Sequence, residues 1–225
     1  YLDSLAATLR DLTGPTTIPH ELTQNADDAG NATIIRFTVT DEALTVWNNG
    51  TFSDCGDGGE VCLLEKRCDL HAFRRFAGRT KADDETTTGA FGVGFTSVYQ
   101  ITDAPELLYN PEHWRLNEMA PPEERLRACD GACGRDHGAT GTTFVLPWAR
   151  AISPLRTALE VPPVLDSAVA ELEAALLEDA RRILLFLQNV TTIEVQTRDQ
   201  GCRVSRRPTD EGFVIEDDGG ESRWL

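Results

Sequence analysis

The amino-acid sequence predicts an α+β sandwich. Two helical segments come first, and a β-hairpin follows them. The strongest helical pattern of the chain lies at residues 166–189, and a group of β-rich segments comes after it. This order differs from the regular alternation of strand and helix in a repeating βαβ unit. The 225 residues, 40% of them hydrophobic, can build the core of a single domain, so we expect one domain over residues 1–225.

The first helices and the hairpin have clear sequence signals. Leucines at three- and four-residue spacing predict an amphipathic helix over residues 2–13, which the segment "GPTTIP" ends. A second helix is expected between Pro19 and Gly30, since proline favours helix starts and glycine favours helix ends. The β-rich segments "ATIIRFTVT" and "ALTVWNN" follow, and Asp41 and Glu42 between them predict a hairpin turn.

The middle of the chain is less regular. The sequence predicts a cysteine-bearing insertion at 53–69, a short helix at "LHAFRRFAG", and a lid with a glycine loop over 76–100. Residues 103–140 are rich in proline and are expected to be irregular, whereas "GTTFVLPW" is expected to be a strand. Beyond the long helix, "TTIEVQTR", "CRVSRR" and "FVIEDD" predict strands that pair antiparallel.

The charge of the chain limits its partners. A net charge of -16 argues against direct binding of nucleic acid or anionic lipid, because such binding needs a surplus of Lys and Arg. The sequence shows neither a leader segment nor an apolar run long enough to span a membrane. We therefore expect a cytoplasmic protein without membrane association. A start without Met and a final segment "ESRWL" are expected of a fragment of a longer polypeptide.

Two interpretations of the six cysteines stay open. The segment "CDGACGRDH" places Cys129, Cys133 and His137 at four-residue intervals, which is compatible with a zinc site. That spacing fits no common structural zinc class well, and none of the cysteines forms C-x-x-C. Ordinary reduced thiols are therefore favoured, and disulfides are not expected in a cytoplasmic protein.

The segment "HELTQNADDAG" concentrates carboxylates and carboxamides on one predicted helix. Glu21, Asn25 and Asp28 are four and three residues apart, so their side chains share one face of that helix. Such a face is either exposed to solvent or forms the wall of a ligand site. The accompanying apolar stripe is thin, which favours a helix that is covered on both sides.

The glycine-rich segment "TTGAFGVGFTS" is a second candidate site. It lacks the lysine of a Walker A loop, and its glycine order is the reverse of a Rossmann loop. Gly89, Gly92 and Gly94 nevertheless allow the backbone to fold closely around an anion and to donate N–H groups to phosphate. A tight structural turn is the alternative interpretation.

Four segments taken together resemble a known superfamily. "ELTQNADDAG", "VWNNG", "GAFGVGF" and "GTTFVLP" are similar, in order and spacing, to the four boxes of the GHKL ATPases, which include gyrase, heat-shock-90-type chaperones, histidine kinases and MutL. The resemblance extends over residues 18–195 and is greatest to the sacsin-type branch, which has a segment like "RILLFLQNVTTIEV". It implies the Bergerat fold, a two-layer α/β sandwich with a mixed, mostly antiparallel sheet and helices on one face.

The resemblance also implies roles for single residues. Glu21 would be the general base that activates the attacking water, and Asn25 would be a ligand of Mg²⁺. Lys81 in the lid would reach the phosphates. The other implied nucleotide-binding residues are Asp28, Asn48, Gly50, Gly89, Phe91, Gly92, Val93, Gly94, Phe95 and Thr142. Asn48 departs from the family pattern, because it replaces the aspartate that accepts a hydrogen bond from adenine, and Phe52 replaces a glycine of the same box.

The function implied by the resemblance is that of an ATP-driven module. It would bind ATP or ADP with Mg²⁺, hydrolyse ATP slowly, and drive conformational change in a chaperone-like or remodelling protein. Its partners would be further domains of the same polypeptide or protein clients, and nucleotide would promote dimerisation. Two alternatives stay open: a nucleotide-binding interaction module without turnover, and the ATPase motor of a nucleic-acid-acting or defence protein.

Overall fold

The computed structural model describes most of the chain. The described residues are 1–12, 14–56, 62, 68–78, 94–130, 133–210, 212–217 and 219–224. Their helices are α1 (Leu2–Asp11), α2 (Ile18–Asp28), α3 (Asp69–Ala77), α4 (Pro154–Leu159) and α5 (Asp166–Leu184), with 3₁₀ helices at Pro15–Thr17, Phe95–Gln100 and Pro122–Glu124. No helix within these ranges is long and apolar enough to cross a membrane.

The described strands form one sheet of ten strands. They are β1 (Ile34–Val39), β2 (Ala43–Asn48), β3 (Glu106–Tyr109), β4 (Glu112–Leu116), β5 (Leu126–Ala128), β6 (Thr142–Pro147), β7 (Thr192–Gln196), β8 (Gly201–Thr209), β9 (Gly212–Asp217) and β10 (Gly220–Trp224). Their order across the sheet is β10-β9-β8-β7-β1-β2-β6-β3-β4-β5. Among these pairs only β1 and β7 run parallel, so the sheet is mixed and mostly antiparallel, as predicted.

Side chains alternate between the two faces of a strand, and buried apolar residues of the central strands lie on the face toward the core. Buried residues of β1 belong to the same hydrophobic core as the buried face of α5, which contacts β7 and β8. That face of α5 consists of Val169, Leu172, Leu176, Ala180, Ile183 and Leu184. Elsewhere on these strands, Glu194 accepts hydrogen bonds from Arg36 (2.7 Å) and Arg203 (2.6 Å) at the surface. The predicted α+β sandwich is confirmed.

The expectation that residues 103–140 are irregular is wrong. Strands β3, β4 and β5 lie within them and extend the sheet beyond β6. The prolines that suggest irregular structure flank the strands, since Pro105 directly precedes β3 and Pro111 lies in the turn between β3 and β4.

Helix α4 is a further element that the sequence patterns do not predict. It begins after Ser153, whose side chain accepts a hydrogen bond from the backbone N–H of Arg156 at 3.0 Å.

One buried carboxylate fixes α2 against the rest of the molecule. Asp27 is 6% exposed. Its oxygens accept hydrogen bonds from three consecutive backbone N–H groups, those of Gln188 (2.8 Å), Asn189 (2.6 Å) and Val190 (2.7 Å). The Asn189 side chain in turn donates to the Asp27 carbonyl oxygen at 2.9 Å. These residues connect α5 to β7, so the contact holds α2 beside the parallel pair of β1 and β7.

Replacing Asp27 with alanine should destabilise the fold. The substitution leaves buried backbone N–H groups without an acceptor, so we expect the free energy of unfolding to fall by roughly 2–5 kcal/mol. Urea denaturation followed by circular dichroism measures this change. Asp28→Ala is the matched control, because Asp28 is exposed on the same helix and should change the value by less than about 0.5 kcal/mol. Equal effects of the two substitutions would contradict the role of Asp27.

Candidate functional site

A cavity lies between α2 and the strands β2 and β6. Its volume is about 30 Å³, which is room for about one water molecule. Its polar lining residues are Asn25, Asn31, Asn48, Thr51, Asp69 and Thr142. Three residues that the sequence predicts for a nucleotide site, Asn25, Asn48 and Thr142, therefore share one cavity. A nucleotide is too large for this space as the described walls leave it.

Asn25 is the residue of α2 whose polar side chain lines the cavity. Its Nδ2 atom is buried and has no hydrogen-bond partner among the residues that the structure describes. Buried polar groups are nearly always hydrogen-bonded, so this position suits a bound polar ligand. A half-turn of the carboxamide exchanges its O and N atoms, which allows Asn25 to present the oxygen that Mg²⁺ requires. The residue fits its predicted role as a metal ligand.

Glu21 lies one helical turn before Asn25 and touches the end of the glycine loop. A Cβ atom built on Gly94 would lie 2.8 Å from Glu21 Cδ and still closer to its Oε2 atom. A side chain at this position would displace the carboxylate, whereas glycine lets the backbone approach it. The structure therefore brings together the predicted general base and the last glycine of the predicted phosphate loop.

Phe95 follows Gly94, and its side chain is fully buried in an aromatic cluster. Its ring centroid lies 5.5 Å from that of Phe73 and 5.2 Å from those of Phe76 and Phe144. These partners come from α3 and β6. The ring of Phe95 thus anchors the end of the glycine loop in the core, and it is not a contact surface for a ligand.

Hydrogen bonds hold Asn48, Gly50 and Thr142 together in one corner of the site. Asn48 Oδ1 accepts from the Gly50 N–H at 2.9 Å, and Thr142 Oγ1 donates to the Gly50 carbonyl oxygen at 3.0 Å. A Cβ atom on Gly50 would lie 2.9 Å from Asn48 Oδ1 and 3.0 Å from Ala32 Cβ, so a side chain does not fit. Because its Oδ1 binds the backbone, Asn48 offers its Nδ2 donor to a ligand, whereas an aspartate would offer an acceptor.

Sequence patterns identify other parts of the cavity wall poorly. The Phe52 ring stacks on Tyr109 with centroids 4.8 Å apart, and the Tyr109 hydroxyl donates to Asp54 at 3.1 Å. Burial raises the pKa of Tyr109, and the Asp54 carboxylate adds to the rise, so this hydroxyl stays protonated and donates at neutral pH. Asp69 accepts from the backbone N–H of Ser53 at 2.8 Å. Of the two lining residues Phe52 and Asp69, Phe52 has a sequence signal in the altered adenine box and Asp69 has none, whereas Tyr109 supports the Phe52 ring without lining the cavity.

Among the predicted residues that the structure describes, Asp28 does not join this cavity. Asp28 is exposed and is not among the lining residues, because one residue along a helix turns the side chain by about 100° from the buried Asp27. Five further predicted residues lie outside the described ranges, and they are Lys81, Gly89, Phe91, Gly92 and Val93.

Comparisons with known proteins identify the family. Human sacsin is 28% identical over 224 residues, which covers 80% of this chain but only 4% of sacsin. In structure, the chain is similar to the B subunit of DNA gyrase from Myxococcus xanthus, with a TM-score of 0.47, 12% sequence identity, and coverage of 88% of this chain and 59% of that chain. The sequence profile of the Sacsin domain matches residues 1–117. Since this match covers more than half of the 225 residues, the chain belongs to the Sacsin domain family.

Proposed function

We propose that this chain is an ATP-binding module of the GHKL type that slowly hydrolyses ATP to ADP and phosphate with Mg²⁺. The approach of the Glu21 carboxylate to Gly94 is the observation that carries the proposal. The base would then lie beside the last residue of a segment whose glycines, by sequence, suit phosphate. Asn25, one helical turn away, has a buried Nδ2 atom without a partner in the described part of the chain, and a half-turn of its carboxamide would present the oxygen to the metal ion. Membership of the Sacsin domain family supports the same interpretation of the first three sequence boxes, which lie within the matched residues 1–117.

The residues of the site would divide the chemistry between them. The Glu21 carboxylate would orient a water molecule toward the γ-phosphate and hold its proton. Asn25 would hold Mg²⁺, which when bound neutralises charge on the phosphates. Asn48 and Thr142 would contact the base. The Nδ2 donor of Asn48 suits a ring nitrogen of adenine better than the exocyclic amino group, which is itself a donor.

Opening of the cavity would couple nucleotide binding to movement. The space of about 30 Å³ between the described walls is too small for a whole nucleotide, so binding would move the wall that carries Phe52 and Asp69. Further domains of a longer cytoplasmic polypeptide, protein clients or a second copy of the chain would respond to that displacement. A chaperone-like or remodelling role is supported by the similarity to human sacsin, of which the chain spans 4%.

A second function is nucleotide binding without turnover. The hydrogen bond from Gly50 to Asn48 Oδ1 favours it, because this bond removes the acceptor that adenine meets in the family pattern. In such a module, the presence or absence of bound nucleotide would by itself switch an interaction with a partner on or off. Measured phosphate release distinguishes the two functions.

Replacing Glu21 with glutamine should stop hydrolysis and preserve nucleotide binding. Loss of the base should lower steady-state phosphate release by about 10²–10⁴-fold, while ATP with Mg²⁺ still raises the melting temperature. Gln24→Ala is the control, because Gln24 is exposed on the same helix and should leave both measurements unchanged. Phosphate release that is equal in wild type and Glu21→Gln would contradict hydrolysis by Glu21 and support the second function.

Replacing Gly50 with alanine should abolish nucleotide binding. The added methyl group collides with Asn48 and Ala32, which disturbs the base site and lowers stability by about 1–3 kcal/mol. Thermal melting with and without millimolar ATP measures binding, and we expect a shift for the wild type and none for the variant. Gly219→Ala is the matched control, since its Cβ atom would only approach an Asp217 carboxylate oxygen at 3.3 Å. A wild-type shift in Gly50→Ala would exclude this corner as the base site.

A further inference from the structure

Most cysteines and histidines of the chain gather in two clusters. The chain has six cysteines and four histidines, and only Cys202 and His20 lie outside these clusters. All six cysteines are among the described residues, and none of them forms a disulfide. Within each cluster, one candidate ligand atom from every residue lies within 4.8 Å of the others. Tetrahedral sulfur and nitrogen ligands of one zinc ion would be about 3.3–3.8 Å apart, so both clusters are close to the size of a zinc site.

The first group, the three-cysteine cluster, consists of Cys55, Cys62, Cys68 and His71. The Sγ atoms of Cys55 and Cys68 lie 3.5 and 3.1 Å from His71 Nδ1. Cys62 Sγ accepts a hydrogen bond from the backbone N–H of Cys68 at 3.3 Å. Cys68 and His71 are buried, at 2% and 5% exposure. Three cysteines and one histidine are a common ligand set of structural zinc sites.

The second group, the two-cysteine cluster, consists of His113, Cys129, Cys133 and His137. Cys133 Sγ lies 3.0 Å from both His113 Nδ1 and His137 Nε2. The spacing of Cys129, Cys133 and His137 alone fits no zinc class well, but the fold adds His113 from β4 as the fourth ligand. Two cysteines and two histidines are a second common structural zinc set.

The outer ring nitrogens of the two-cysteine cluster also have the partners that zinc-bound histidines need. His113 Nε2 lies 3.2 Å from Glu106 Oε2, and His137 Nδ1 lies 3.2 Å from the carbonyl oxygen of Pro111. Zinc-bound histidines usually donate their second N–H to a carboxylate or a backbone carbonyl, which fixes the nitrogen that faces the metal. Both histidines of this cluster therefore present the correct nitrogen to the thiols.

We propose that each cluster binds one zinc ion through four protein ligands. Thiolate and imidazole donors favour zinc, whereas Mg²⁺ and Ca²⁺ take oxygen ligands. Four protein donors leave no open position on the metal, so both ions are structural. With its cysteines as thiolates, the three-cysteine site carries a net charge of about -1 and the two-cysteine site is neutral. The proposal is independent of nucleotide binding.

Each zinc ion joins two separate segments of the chain. The three-cysteine site ties the segment after β2 to the start of α3, where Asp69 lines the cavity. The two-cysteine site ties β4 to the segment that leads into β6, where Thr142 lines the cavity. Two structural metals thus hold two walls of the candidate nucleotide site.

Zinc analysis of the purified chain tests the proposal. The chain is expressed with added zinc and dialysed extensively. Inductively coupled plasma mass spectrometry of the dialysed protein should then give two zinc ions per chain. Cys62→Ser and Cys129→Ser should each lower the content to one, and the double variant should lower it to zero. Cys202→Ser is the matched control and should retain two. The proposal would be overturned if the wild-type chain held no zinc, or if the cluster variants held as much zinc as Cys202→Ser.

Cobalt substitution keeps the test valid even where a variant fails to fold. The wild-type chain loaded with Co²⁺ should bind two ions and show the strong visible absorption of tetrahedral cobalt together with thiolate-to-cobalt charge-transfer bands. Each folded single-cluster variant should retain only the spectrum of its intact site. Weak absorption typical of six-coordinate cobalt in the wild type would overturn the proposal whatever the variants do.

Discussion

The hydrogen bonds of the Asp27 carboxylate determine where the candidate site is built. A buried carboxylate is costly unless donors replace its water, and here three consecutive backbone N–H groups do so. Those donors belong to the connection between α5 and β7, and β7 is the parallel neighbour of β1. Helix α2, the connection and the centre of the sheet therefore form one unit. Asn25 at the cavity and Glu21 beside Gly94 take their positions from that unit.

Helix α2 explains which site residues sequence patterns can identify. Helical spacing correctly puts Glu21 and Asn25 on one face, because that face depends only on the geometry of the helix. It cannot tell Asp27 from Asp28, since adjacent aspartates have the same composition and differ only in the surface that packs against them. Burial of Asp27 requires the connection between α5 and β7, whose donors lie 161 to 163 residues later. The structural aspartate is therefore visible only in the folded chain.

The fold shows the same contrast between features that neighbouring residues determine and features that depend on residues far along the chain. The α+β class and the elements with strong periodicity could be predicted, because hydrophobic spacing repeats several times within each of them. The strands β3, β4 and β5 have four, five and three residues, too few for a pattern to stand out beside flanking prolines. The sequence shows three members of the two-cysteine cluster, but the fourth, His113, is hidden for a similar reason, since the β-sheet register brings it to cysteines on another segment.

The parallel pairing of β1 with β7 also governs the order of events during synthesis. Thr38 pairs with Gln196, so the middle of the sheet joins segments from the two ends of the domain. On the ribosome, α2 emerges early and stays without the N–H donors of Gln188 to Val190 until most of the chain has followed. Contacts of such sequence separation form slowly and leave intermediates exposed. The helix that carries Glu21 is thus translated well before the connection that fixes it, and its native position has to wait for that connection.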